Sequence, residues 1–287
     1  MSLGMTLPAE PLPQPRAGVA VSVVDARRVE PLLNRHAASR LHFGSEFCET
    51  LLPSPVQLRS VIAGAGRRGV GLTLATPMVS DAGLRRLRQL LPLLPAGAEV
   101  VGNDWGTLAL LHREYPHLHA VAGRLLCKMV KDPRLPSAEW ARLYPHGVHS
   151  TPFRGLLARL GVRRIELDAP PFADAADFRS PDFAVSVHAP YGYSVKGRAC
   201  RIGSLNQPDG EKFMTGHRCR RECLTYAATL SRPEHGAADL ATFQRGNTVF
   251  YRHSPAMAEA VQAAVSQGWI DRIIVSGDWN EDRRAGQ

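Results

Sequence analysis

The sequence has no long hydrophobic run. No stretch approaches the ~20 apolar residues that span a bilayer, so no membrane span is expected. The opening segment, MSLGMTLPAEPLPQPRAG, carries prolines and an acid where a secretory signal would carry an apolar stretch. Five cysteines are too few for a secreted disulfide scaffold. Together these features predict a cytoplasmic protein with reduced thiols. Like charges never run five or six deep, as they do in nucleic-acid-binding tails. The formal charge of +9 instead comes from scattered arginines, such as Arg67 and Arg68, Arg163 and Arg164, and Arg220 and Arg221. Recognisable catalytic signatures are also missing: there is no P-loop lysine motif, no HExxH and no GxSxG elbow. GAGRRG at 64–69 matches GxGxxG in letters only. It follows a helical pattern and precedes a strand, the reverse of a dinucleotide turn, and reads as a helix stop.

What remains is an ordinary globular balance, with 44% hydrophobic and 21% charged residues over 287 positions. A chain of that size buries about three quarters of its unfolded surface without a staple. Residues 1–17 read as a flexible tail rich in proline, and residues 18–287 as one domain. Short β-branched runs then alternate with helical periodicity. The expected strands are Val19–Val24, Arg40–Phe43, Val70–Ala75, Ala98–Gly102, His119–Ala122, Arg164–Leu167, Ala184–His188, Thr248–Arg252 and Arg272–Ser276, with a weaker run at Gly147–His149. Helices are expected from Asp81, from about Asp104, over Phe153–Leu160 and over Pro255–Gln267. Repeated βα units of this number predict an α/β fold, a (β/α)8 barrel of TIM type, with an insert around 190–245.

In such barrels the working face lies at the carboxyl ends of the strands. The residues placed there are Glu46 and Cys48, Asn103 and Asp104, Arg124 and Cys127, Asp168, His188 and Tyr191, and Asp278, Trp279 and Asn280. The C-terminal Asp278, Asp282, Arg283 and Arg284 read equally as a ligand site and as a solvated end.

Four cysteines form a plausible ligand set: Cys48, Cys200, Cys219 and Cys223. Cys219 and Cys223 sit in RCRRECLTYAATL, which reads as a helix with both thiols on one face. Eighteen residues separate Cys200 from Cys219, and Cys48 is far away in sequence. A closed barrel brings early and late loops to one rim, which would unite them. Four thiolates suit a [4Fe-4S] cluster or a zinc ion, and incidental buried thiols remain a third reading. Cys127 is left over and reads as a small core residue.

Longer runs of mixed chemistry carry a resemblance. FGSEFCE (43–49), GNDWG (102–106), GRLLCKMVKDPR (123–134), GVRRIELD (161–168), SVHAPYGYSVKGRACRIGSLNQP (186–208), CRREC (219–223), FQRGNTVFYRHS (243–254) and VSGDWNEDRR (275–284) resemble the collagenase-like peptidase family. Within it they are most similar to the branch that serves oxygen-independent ubiquinone (coenzyme Q) biosynthesis. The resemblance implies a barrel-like fold and a [4Fe-4S] cluster on Cys48, Cys200, Cys219 and Cys223. It implies a heterodimer with a UbiU-like protein, and quinone-precursor lipid presented by a UbiT-like carrier. The implied activity is participation in anaerobic ring hydroxylation as a subunit of the hydroxylase. Peptidase activity is not expected, because no proteolytic constellation is present, and no catalytic residue is assigned. The alternatives are an RNA base-modifying protein of the same family, which the positive charge permits, and a zinc-stapled binding module.

Overall fold

A computed structural model describes residues 17–144, 146–212, 214, 219–230 and 240–277. The chain opens with β1 (Gly18–Val23), α1 (Val29–Arg35), β2 (Arg40–Gly44), α2 (Pro55–Arg67), β3 (Gly71–Ala75), α3 (Asp81–Leu90), β4 (Glu99–Gly102), α4 (Trp105–Glu114) and β5 (His119–Ala122). Then come α5 (Ala138–Arg142), α6 (Thr151–Arg159), β6 (Arg164–Asp168) and β7 (Ala184–Ala189). Four more strands follow: β8 (Tyr191–Lys196), β9 (Ala228–Leu230), β10 (Thr242–Arg245) and β11 (Thr248–Arg252). After α7 (Pro255–Ser266), β12 (Arg272–Ser276) returns to the first strand.

Eight parallel strands close in the order β1-β12-β7-β6-β5-β4-β3-β2. This is the expected α/β barrel. The helix starts follow from local chemistry. Ser54, Ser80, Asp104 and Ser254 each accept a backbone N–H from the first turn of the helix they cap. The stops follow too. Gly69 has φ +63° just past α2, and Gly161 has φ +72° just past α6, a conformation that costs glycine little. The GAGRRG segment therefore ends a helix, as its order implied.

Strand alternation sorts the side chains of β6. Ile165 and Leu167 join the main apolar core between barrel and helices. Arg164, Glu166 and Asp168 share the other face, toward the barrel interior. Branched aliphatic residues usually fill that interior; here ionic groups occupy much of it.

Three expectations are corrected. Thr248–Arg252 is not a barrel strand: it pairs antiparallel with β8 and β10 in a separate sheet of order β8-β11-β10-β9. That sheet is the insert, and it runs from Tyr191 to Arg252. Gly147–His149 is a 3-10 turn, too short to pair with a strand. The segment around Cys219 and Cys223 is not an α-helix. Arg221 takes φ +62°, which breaks helical progression, a 3-10 turn covers Glu222–Leu224, and Ala228–Leu230 pairs as β9. The proline-rich tail before Ala17, and Asp278, Trp279, Asn280, Asp282, Arg283 and Arg284, lie outside the described residues. Among the described residues, no helix is long and apolar enough to cross a membrane.

Candidate functional site

The inserted sheet covers the carboxyl end of the barrel, and a cavity of about 250 Å³ lies between them. Cys48, Cys200, Cys219 and Cys223 all line it. Cys48 directly follows the β2 loop and precedes a 3-10 turn. The other three come from the insert. Specific bonds tie the two together. Asn247, in the β10–β11 turn, donates to the carbonyl oxygens of Phe47 at 2.9 Å and Gly197 at 3.1 Å. Arg221 donates to the carbonyl of Thr50, and Arg245 to that of Cys223. The loop that holds Cys48 is thereby fixed against the segments that hold the other cysteines.

All five cysteines are free thiols. The backbone N–H of Gly203 donates to Cys200 Sγ, and that of Arg221 to Cys219 Sγ, both at 3.3 Å. Burial pushes the Cys223 thiol up to about 12, and the neighbouring cysteines push the same way. Burial also raises Cys200. Thiols that disfavour their own ionisation, as Cys200 and Cys223 do, are poor nucleophiles. A coordinated cation reverses that balance and deprotonates them. Arg198 and Arg245 line the same cavity and offer positive charge beside an anionic thiolate set. Gly246, at φ +60°, sits against Cys223: a Cβ there would lie 3.3 Å from the cysteine Cβ. The donor set, the N–H···S bonds and the close backbone approach fit a metal or cluster held by four thiolates.

Cys127 is elsewhere. It is buried in the apolar core, its thiol is pushed up to about 12 by burial, and it does not line the cavity. The core reading holds.

The barrel side of the cavity is a buried ionic network. Arg124, just after β5, reaches Glu46 at 2.8 Å and Asp168 at 2.7 Å. Lys131 pairs with the second oxygen of Asp168 and lies 3.3 Å from the centre of the Tyr193 ring. Below them, Glu166 holds an imidazole on each oxygen: His42 Nε2 at 2.7 Å and His188 Nε2 at 3.0 Å. Burial alone would neutralise Glu166, but His42 and the hydrogen bonds from both imidazoles outweigh it and hold the carboxyl far below the usual range. The same contest drives Asp168 down to about 2, through Lys131 and Arg124. Burial lowers Lys131 to about 8 despite Asp168. His42 is raised, because Glu166 overrides its burial.

Oxygen and nitrogen atoms of Glu46, Glu166 and His188 lie within 4.8 Å of one another, close enough to share a metal ion. The charges argue otherwise. Three carboxylates (Glu46, Glu166 and Asp168) face three cations (Arg124, Lys131 and protonated His42). The network closes neutral, and Glu46 is already bonded twice by the guanidinium of Arg124.

Of the mouth residues expected from sequence, Glu46, Cys48, Arg124, His188 and Tyr191 line the cavity, and Asp168 stands directly behind Arg124. Asn103 and Asp104 do structural work. Asn103 bridges the carbonyl of Thr76 and the N–H of Leu125, and Asp104 caps α4. His42, Glu166, Lys131 and Tyr193 were not expected. The signal for Glu166 was present in GVRRIELD, where three charges alternate along a strand.

No family model matches this chain, and no curated protein matches it. Solved structures do. The U32 peptidase Mk0906 matches with a TM-score of 0.46 at 11% identity, over 94% of this chain and 96% of that one. The spore cortex-lytic enzyme SleL of Bacillus megaterium QM B1551 matches at 0.41 and 10% identity, over 94% and 73%. A plant class V chitinase from Cycas revoluta matches at 0.41 and 10%, over 91% and 95%. The barrel assignment rests on this chain's own strand order.

Proposed function

We propose that this chain is a UbiV-like iron–sulfur subunit: a [4Fe-4S] cluster on Cys48, Cys200, Cys219 and Cys223, acting with a UbiU-like partner in oxygen-independent hydroxylation of the ubiquinone ring. One observation carries the reading: cysteines from distant parts of the chain line a single cavity at the working end of the barrel. The sequence runs around them, FGSEFCE and GRACRIGSLNQP, support the choice of family. When bound, a cluster with a cysteine on each iron supplies electron transfer or local rigidity rather than an open Lewis-acid site. The chain's own contribution is to hold four thiolates, donate N–H bonds to two of them, and cover the carboxyl end of the barrel with the inserted sheet. The quinone precursor would reach this cavity from a UbiT-like lipid carrier.

The first test is anaerobic purification. The reading expects brown protein with about four irons per chain. Colourless protein with one zinc per chain would replace it with the zinc-stapled alternative. Ubiquinone made by cells growing without oxygen should disappear on deletion and return with the wild-type chain. Co-purification with a UbiU-like protein tests the partner. Strongly salt-dependent RNA binding would favour the RNA-modifying alternative instead.

A further inference from the structure

The same cavity has a second chemical wall that the thiolates do not use. His188 lines it, yet the residue is almost wholly buried, so the cavity is where a ligand can meet it. Its Nε2 is committed to Glu166. Nδ1 is therefore the nitrogen it can offer a ligand. Glu166 is fully buried and held from behind by His42, whose ring meets that of His188 edge to face at 5.8 Å. His42 and Glu166 come from β2 and β6, which stand opposite each other in the closed barrel, so the chain crosses the interior. A carboxylate on one imidazole nitrogen fixes the tautomer and leaves the other nitrogen as a base.

We propose that His188 is an acid–base residue of this cavity, taking a proton at Nδ1 from a hydroxyl-bearing ligand and returning it, with Glu166 and His42 as positioning residues. In the forward step the ligand O–H bond breaks, its electron pair stays on oxygen, and the proton bonds to Nδ1. Glu166 stabilises the imidazolium that forms. No electron is exchanged with the protein in this step. Ser22, Ser276 and Tyr191 line the cavity with further polar groups to hold such a ligand. The proposal deepens the reading of the cavity as a reaction site and rests on it for the reaction followed in cells.

The charged groups around His188 are known from every side. Glu46 lies 3.9 Å from Nε2, Asp168 pairs with His188 in the β6–β7 register, and Arg124 and Lys131 neutralise Asp168. Glu166 and His42 bond to one another beside it, His253 is close enough to feel its charge, and Arg198 and Arg245 line the same cavity. A proton that arrives on His188 sits beside Glu166, the carboxylate already bonded to its Nε2, which it then shares with His42.

The test uses anaerobically purified holoprotein, with iron per chain measured first. Exchange of each histidine's ring C2 hydrogen with deuterium, followed by mass spectrometry against pH, reads each imidazole separately. Glu166→Gln removes the anion and should shift the His188 curve down by about one pH unit or more. His42→Gln leaves the charge of Glu166 to His188 alone and should shift the same curve up. A residue that only supports the fold would not give opposite shifts. In cells without oxygen, His188→Gln should cut ubiquinone at least about tenfold at unchanged iron content. Curves that do not move, or that move together, overturn the proposal. So does normal ubiquinone in His188→Gln, or a divalent metal ion bound by wild type and lost from that variant. Iron-free wild-type protein would sink the cluster reading instead, and the exchange curves would still decide the role of His188.

Discussion

Arg124 carries two carboxylates at once while almost wholly buried. Its guanidinium also lies 5.0 Å from the Phe47 ring centre, and its backbone carbonyl accepts from Tyr193. Arg124→Met would keep the stem but leave Glu46 and Asp168 short of a cation. Breaking a buried pair from one side costs about 3–5 kcal/mol. Urea unfolding should show a loss of that size. A loss below about 1 kcal/mol would mean that the network is wetter than its geometry implies.

The titrating residues here also set a pH dependence. His42 is raised in the folded protein, so its contribution is complete below its unfolded value of about 6.5 and is lost as pH rises through the folded one. His253 is pushed down by burial to about 4, so stability falls as pH drops from about 6.5 toward 4. Asp168 and Glu166 are depressed: their contribution is present above about 4 and lost as pH falls further. Lys131 begins to change only near 8. Stability at constant temperature should therefore peak near about pH 6.5. His42→Gln should flatten the decline above about 6.5, and denaturant midpoints across pH would show it.

At the level of elements, the barrel was legible because its signals are local. Leu84, Leu87, Leu90 and Leu91 announce α3 by spacing, and Ser80 and Asp104 mark helix starts within their own turns. The inserted sheet was not legible, because its pairing is long-range and its strands are short. β9 has three residues, and its apolar spacing with Leu224 and Tyr226 mimics a helix. Nothing local reveals that Arg221 turns left-handed. The thiol set was legible as a count of cysteines plus a family resemblance. The Glu166 pair with His42 was not, since 124 residues separate its partners. The insert makes its own prediction. Gly246 sits at φ +60° against Cys223, so Gly246→Ala brings backbone strain of roughly 1 kcal/mol and a contact that displaces the thiol. Iron per chain should fall while far-ultraviolet circular dichroism stays unchanged. Full iron loading in that variant would show that Cys223 is not held as a ligand.

On the scale of the whole molecule, the two ends of the barrel have separate duties. The insert and the thiols gather at the carboxyl end; the amino end closes on ions. Glu99 of β4 bonds Arg272 of β12 at 2.7 and 3.0 Å, straight across the barrel, and accepts from Thr73 at 2.8 Å. Arg40 and Arg164 approach the same carboxylate at 3.7 Å. Burial opposes its charge, but Arg272 and Arg40 outweigh that and hold Glu99 below the usual range. One carboxylate thus separates three arginines from β2, β6 and β12. Glu99→Gln keeps the shape and removes the charge, leaving the arginines to repel. A loss of about 3–5 kcal/mol is expected, which for a domain of this size lowers the melting temperature by on the order of 10 °C. Because this layer is remote from the thiols, iron bound per folded chain should not change. Cys219→Ala should do the reverse, abolishing iron and colour, and Cys127→Ala should leave both. If Glu99→Gln lost iron in step with stability, the two ends would be coupled and the division of labour along the barrel axis would be wrong.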